Sequence, residues 1–254
     1  LKMDYSVPQE GFVSNAHALI KGYRVDNAAV EDICIQGDKE TNFKMDGCRG
    51  GAVYWYKSEN CTMTGIEVRD FNGDGISFQI TRDMKVEDCT VSGATNIGLH
   101  PGTGSERVNV KNCTLTENGS GGFFLCWRVQ ESLFEDIICN HNRDFGISIG
   151  HKDTDNIFRQ CIMKENGNVG LRFRQEDEYN GAHRNTWEQC VCEDNKNTGI
   201  EINGATYNNL FSNCLIQGTN DDLQKTAVVF EKETGGIEFN DCVIQGEVKD
   251  NRKE

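Results

Sequence analysis

VKNCTLTENGSGGFFLC, residues 110–126, holds two signals that recur along the chain. The first is a polar pair, then cysteine, then a short aliphatic or β-branched run. It returns as SENCTM at Cys61, VEDCTV at Cys89, FRQCIM at Cys161, WEQCVC at Cys190, FSNCLI at Cys214 and FNDCVI at Cys242. With Ile33 and Ile137 filling the same place, these nine positions are 28, 28, 24, 24, 24, 29, 24 and 28 residues apart. A basic period of 24 with insertions of four or five marks a repeat architecture.

The second signal is a small residue followed by alternation, as in GFFLC from Gly122. It recurs from Ala52, Gly75, Gly98, Gly146, Gly170, Gly199 and Ala227. The first and third residues after the small one are apolar throughout, from Val53 and Trp55 to Val228 and Phe230. Alternation of period two predicts strands with one face buried. A unit of about two dozen residues cannot bury that face alone, so the units must stack, each strand pairing with its equivalent in the next. The expectation is an all-β parallel β-helix of nine coils, roughly 43 Å long at about 4.8 Å per coil. One domain covers residues 1–254. A leucine-rich repeat has a similar period but needs spaced leucines and often helices, which the Gly-, Asn- and β-branched-rich units lack.

The cysteines read as an interior ladder, since free cysteine packs as a small buried apolar group. The Asn or Asp before five of the seven (Asn60, Asp88, Asn112, Asn213, Asp241) marks a bend. Tight zinc-type pairs are absent apart from Cys190 and Cys192. Acidic loops leave calcium open, but no ligand set has a recognisable spacing. The sequons at Asn60 and Asn112 fall in the ladder and are read as accidental. A net charge of −14 argues against nucleic acid and anionic membrane as partners. No stretch of about 18 apolar residues predicts a membrane span. The chain starts at Leu1 and is read as a mature form, a trimmed form or part of a longer chain.

From Val30 to Val248 the coils resemble the right-handed parallel β-helix superfamily, the pectate-lyase-like proteins. That resemblance implies a right-handed coil, a polysaccharide partner and an extracellular or periplasmic location. Within it, NGDGISF with Asp74, FGISIGH with Ser148 and His151, and GLRFR with Arg172 and Arg174 loosely follow the motif order of polygalacturonase-type glycosidases. The paired aspartates of that branch are missing: the corresponding coil reads NIGLHPG, with His100.

If the first and third strand residues point in, the second and fourth point out. The outward columns and the rim beside them then gather Tyr54, Tyr56, Gln79, His100, Trp127, Arg128, His151, Lys152, Arg172 and Arg174, with Asp74, Asp153, Glu176 and Glu201. Aromatic rings and cations on an acidic chain suit sugar rings and carboxylates. The loop after Arg174 is also longer than its counterparts, and long loops on a rigid scaffold often carry function. Abstraction of the C5 proton of a uronate needs a base and a cation that neutralises the carboxylate. His151 is the expected base, and Arg172 and Arg174, one coil on, the expected cations, with Asp153 and Glu176 positioning them. The remaining residues are expected to bind substrate. The expected function is a lyase on an acidic glycan. The alternatives are a hydrolase using carboxylates among Asp153, Glu176 and Glu201, or a non-catalytic glycan-binding β-helix. The oligomeric state is left open.

Overall fold

The computed structural model describes residues 18–42, 44–45, 50–219 and 222–253, which form an all-β solenoid. A ten-stranded parallel sheet runs its whole length, from Ile20–Tyr23 to Glu247–Asp250. Two further columns of nine strands each, linked through the long strands Asn109–Thr116 and Leu133–Asn140, close the coils into about eight turns. Among the described residues the only helix is one 3-10 turn, Asn251–Lys253. None is long and apolar enough to cross a membrane.

The alternating column stands as expected. Val53, Ile76, Leu99, Phe123, Ile147, Leu171, Ile200 and Val228 lie in register across successive strands of the ten-stranded sheet, and all are buried. Facing them, Phe134, Phe158, Trp187, Phe211 and Phe239 stack down the axis, with Phe158 and Trp187 3.8 Å apart between ring centroids.

The cysteine ladder needs one correction. Glu67 pairs with Thr90, which sets Ile66 beside Cys89, whereas Thr62 pairs with Lys85, which sets Cys61 beside Met84. The ladder is therefore Ile33, Ile66, Cys89, Cys113, Ile137, Cys161, Cys190, Cys214 and Cys242; Cys61 is buried at a different corner. The reason lies in the backbone. Both corners demand a residue at positive φ: Gly65, Asp88 and Asn112 at one (φ 62°, 55° and 51°), Asn27, Asn60 and Asp83 at the other (57°, 50° and 50°). Asn, Asp and Gly tolerate that conformation best, so the same short motif arises at both. The eleven cysteines among the described residues are free thiols; Cys48 lies outside them. Cys242 is only half-buried, because it sits in the last coil of its column. Burial pushes the Cys139 and Cys192 thiols well up, which makes them inert packing groups.

The sequence reading missed two buried polar ladders. Asn118, Asn142, Asn166, Asn195 and Gln224 bond one to the next along the axis at 2.8–3.1 Å. Asn156, Asn185 and Asn209 do the same at a second corner. Each of these amides from Asn142 onward also donates to a backbone carbonyl, for example Asn142 to Leu115. A buried amide is tolerated when its bonds are made, and stacking supplies the partner.

Candidate functional site

The outward columns of the ten-stranded sheet also stand in the expected register. Tyr54, Ser77 and His100 lie side by side across three strands, and Ser148, Arg172 and Glu201 across three later ones. Their environments divide them into two groups.

The first is a rim at the ends of the strands Gly121–Phe124 and Phe145–Ile149. Here the Trp127 and His151 rings pack at a tilt of 51° with centroids 5.6 Å apart, and Arg128 lies over the Trp127 ring at 5.4 Å. His151 Nδ1 is 2.9 Å from Glu176 Oε1, with His151 about half-exposed and Glu176 nearly buried. A carboxylate only accepts, so the neutral ring donates from Nδ1 and keeps Nε2 as the acceptor. Lys152 sits over the exposed Tyr179 ring; the hydrogen bond from its ammonium, then its charge, lowers the Tyr179 phenol from its ordinary value. Residue spacing alone puts Glu176 in line with Lys152. The longer loop changes this: Lys152 N bonds to Asn180 O, and Glu176 meets His151 instead.

Asp153 holds this rim in place. Its carboxylate accepts from Val129 N at 3.0 Å and Gly150 N at 2.9 Å, and meets Arg174 Nη2 at 3.3 Å. It thereby ties the neighbouring coil, its own turn and the next coil together. The turn it closes carries His151 and Lys152, both at positive φ (42° and 63°). Complete burial pushes the Asp153 carboxyl up to about 7, against the pull of Arg174 and the two backbone donors.

The two arginines leave the expected coil, but their charges are engaged. Arg172 forms a fork to Asp144 at 2.8 and 3.1 Å and reaches Glu201 at 3.2 Å. Asp144 is held below the usual carboxylate range: burial raises it, and bonds from Arg172 and Asn168 more than offset that. Arg174 folds back over the Phe124 ring, 4.4 Å from its centroid, and donates to Ser148 Oγ, Leu125 O and Cys126 O. Glu201 and Asp153 are thus bound to arginines.

The second group lies on the strands Gly51–Tyr56, Asp74–Gln79 and Ile97–Gly102. These residues face outward yet are not exposed. Asp74, Gln79 and His100 are at most 2% exposed and Tyr54 3%. Asp74 Oδ2 is 2.7 Å from His100 Nδ1, while Oδ1 accepts from Asn96 Nδ2 at 2.7 Å and Ile97 N at 3.1 Å. The edge of Phe124 packs against the His100 ring at 5.0 Å. Tyr56 stacks between Tyr23 and Tyr54. The open strand face expected here is a closed one. Among the described residues no group of three or more His, Cys, Asp and Glu is arranged to hold a metal ion.

This arrangement sits on a fold shared with known proteins. The A-module of the mannuronan C-5 epimerase AlgE4 of Azotobacter vinelandii superposes with a TM-score of 0.61 at 14% identity, over 87% of this chain and 68% of that one. The periplasmic alginate epimerase AlgG gives 0.53 at 12%, over 89% and 70%. The alginate lyase of Paenibacillus sp. strain FPU-7 gives 0.62 at 9%, over 94% and 93%. At such identities the likeness is one of fold. No curated protein matches the sequence. The sequence pattern of the family described as "Right handed beta helix region" matches residues 31–186, more than half of the chain. The chain belongs to that right-handed β-helix family.

Proposed function

We propose that the protein acts on an acidic, uronate-containing glycan, removing the C5 proton with His151 and cleaving the chain by elimination. The observation that carries this is the His151–Glu176 pair beside the exposed Trp127. Glu176 orients the imidazole, and Trp127 offers an apolar ring against which a sugar can lie. Lys152 and Arg128, on the same rim, take the carboxylate-neutralising role that the sequence reading gave to Arg172 and Arg174. With the carboxylate neutralised, C5–H becomes acidic enough for Nε2 to take the proton. The electron pair left at C5 forms the C4–C5 double bond as the C4–O4 bond breaks. The imidazolium then returns the proton to the departing O4. Asp153 and Arg174 act as positioning residues, because they close the turn that carries His151 and Lys152.

Three structural neighbours are two alginate epimerases and an alginate lyase, which supports a uronate polymer as substrate. Epimerisation at C5 and elimination both begin with loss of the same proton. A periplasmic or extracellular location accompanies this reading, as it does for the neighbour described as periplasmic. The hydrolase reading draws no support from the geometry, since Asp153 is fully buried and Glu201 is bound to Arg172.

The test is a screen of polymannuronate, polyguluronate, polygalacturonate and neutral glycans, read at the absorbance of unsaturated uronates and by NMR for inverted C5. His151→Ala should lose about 10²–10⁴ in turnover while retaining substrate binding. New reducing ends without unsaturation, or full activity in His151→Ala, would overturn the proposal. Binding without any turnover in the wild type would make the protein a glycan-binding β-helix.

A further inference from the structure

The loop after Arg174 brings Glu176 to His151, and a single side chain fastens that loop to the coil beyond it. His183 Nε2 lies 2.8 Å from Glu178 O, in the middle of the loop. On the other side of the ring, Tyr207 N of the next coil donates to His183 Nδ1 at 3.0 Å. The Tyr207 ring stacks on the imidazole with centroids 5.3 Å apart, 16° from parallel. A Cβ at Gly181 would collide with Ala205 O and with the His183 ring, so glycine there lets the loop lie close against the next coil.

The Tyr207 bond departs from the pattern of its column. At the same corner of other coils the backbone N–H donates to a carbonyl one coil back: Glu106 to Thr81, Gln130 to Ser105, Thr154 to Val129 and Gly235 to Thr206. At Tyr207 an imidazole nitrogen takes the place of that carbonyl. The substitution fixes the proton. A backbone N–H only donates and a carbonyl only accepts, so Nδ1 is bare and Nε2 carries the hydrogen. The ring is then a neutral imidazole with both nitrogens bonded. A second proton would go to Nδ1 and set a donor against the Tyr207 N–H, so the bond would be lost. Three other titratable or charged groups face this ring. Asp155, on the coil before, is held below the usual carboxylate range by its fork to Arg184 at 2.7 Å and, more weakly, by the charge on His183. From the coil after, Tyr207 lies against the ring. On its own loop it is the Glu178 carbonyl that meets the ring.

We infer that His183 is a positioning residue that works as a proton-sensitive latch: neutral, it holds the loop carrying Glu176 and Tyr179 over the rim, and protonated, it releases that loop from the Tyr207 coil. The ring is partly exposed, so protons reach it from solvent. The consequence for turnover rests on the reading of His151 and Glu176 as the working pair; the release of the loop does not. Glu176 O keeps its bond from Ala205 N at 2.9 Å, and Asn180 O its bond from Lys152 N at 2.7 Å. Release therefore loosens the rim and lowers turnover severalfold without abolishing it.

The experiment is amide hydrogen exchange by NMR on the whole chain without substrate, between about pH 5 and pH 8, the range in which an imidazole changes charge. It compares wild type, His183→Gln, His183→Ala and His151→Ala, with the Gln130 amide, which donates to an ordinary carbonyl, as the internal reference. In wild type the Tyr207 amide should lose about tenfold in protection at the acid end relative to Gln130, with a midpoint that coincides with the titration of the His183 ring protons. His183→Gln should stay protected throughout, because a carboxamide offers an acceptor and a donor and does not titrate. His183→Ala should be unprotected throughout, and His151→Ala should respond as wild type does. Equal protection of wild type at both ends of the range would overturn the inference. So would a response that survives in His183→Gln or disappears in His151→Ala. If His183→Ala fails to fold, wild type and His183→Gln decide. With substrate, His183→Gln should keep severalfold more of its alkaline kcat at the acid end than wild type does, at unchanged KM; equal retention would overturn the positioning role. Failure of the His151 reaction leaves the exchange result standing.

Discussion

The rim at His151 and the closed face at His100 carry the same kind of pair, an imidazole donating to a carboxylate, yet they are built for different tasks. At the rim the pair is 2.9 Å long, the histidine is about half-exposed, and Lys152, Arg128 and Trp127 surround it. In the closed face the pair is 2.7 Å long, both groups are buried, and the neighbours are an amide and aromatic rings. An exposed imidazole among cations can meet a charged polymer. A buried imidazole locked to a buried carboxylate is closed to such a polymer. Strand position does not separate the two; what packs over each coil does.

Breaking the brace under the rim should give the largest effect. Asp153→Ala strands Arg174 among buried groups and frees the His151–Lys152 turn. It should cost about 3 kcal/mol in a urea melt and abolish turnover, whereas removing the partly exposed His151 should leave stability unchanged. If Asp153→Ala melts like wild type, the brace is not what positions the rim.

The pH dependence sharpens the same point. Burial raises the Asp153 carboxyl from 3.8 to about 7, so between these values the folded chain holds a proton that the unfolded chain releases. Stability should therefore fall as pH rises from about 4 to 7, by up to about 1.4 kcal/mol per unit, and level off above. Carboxylates held low by arginine, such as Asp144 and Asp155, contribute below that window, not within it. Comparing urea midpoints at pH 5 and 7 for wild type and Asp153→Asn isolates the effect, and equal slopes would refute it.

Smaller changes separate binding from folding. Trp127→Ala should weaken uronate oligomers by roughly 1 kcal/mol, about fivefold, without moving the melting temperature; an unchanged affinity would remove Trp127 from the site. Arg107→Ala breaks a fork to Asp83, an ion pair outside the His151–Glu176 pair in which both groups are about half-exposed. Its cost should stay below about 0.5 kcal/mol, and its glycan binding should match wild type. A larger loss would mean that surface pairs matter here as much as the buried brace.

Much of the fold was legible in the sequence because stacking repeats one local decision many times. The Gly-then-alternating runs predicted ten-stranded-sheet positions in correct register, since period two allows only one inward set. The cysteine runs misled at Cys61 because two corners share one backbone requirement, and Gly65–Ile66 stood in for the Asn–Cys pair at the true ladder position. The asparagine ladder at Asn118, Asn142, Asn166 and Asn195 was visible as a 24- and 29-residue spacing. It went unread because asparagine in a turn already has a local explanation.

The sequence by itself determined that this chain is a stacked parallel β-helix, because only neighbouring coils can cover the apolar side of each strand. It also determined which side chains leave the ten-stranded sheet on the outer face, because strand alternation is a property of the backbone. Only the tertiary structure decided which of those side chains are available. Arg172 and Arg174 carry charges that the sequence leaves open, and the folded chain spends them on Asp144, Glu201 and Asp153, which lie in other coils. Glu176 reaches His151 only because of the path taken by the loop after Arg174. Partners brought together from 20 to 30 residues away are set by the packing of coils, and no local pattern encodes them.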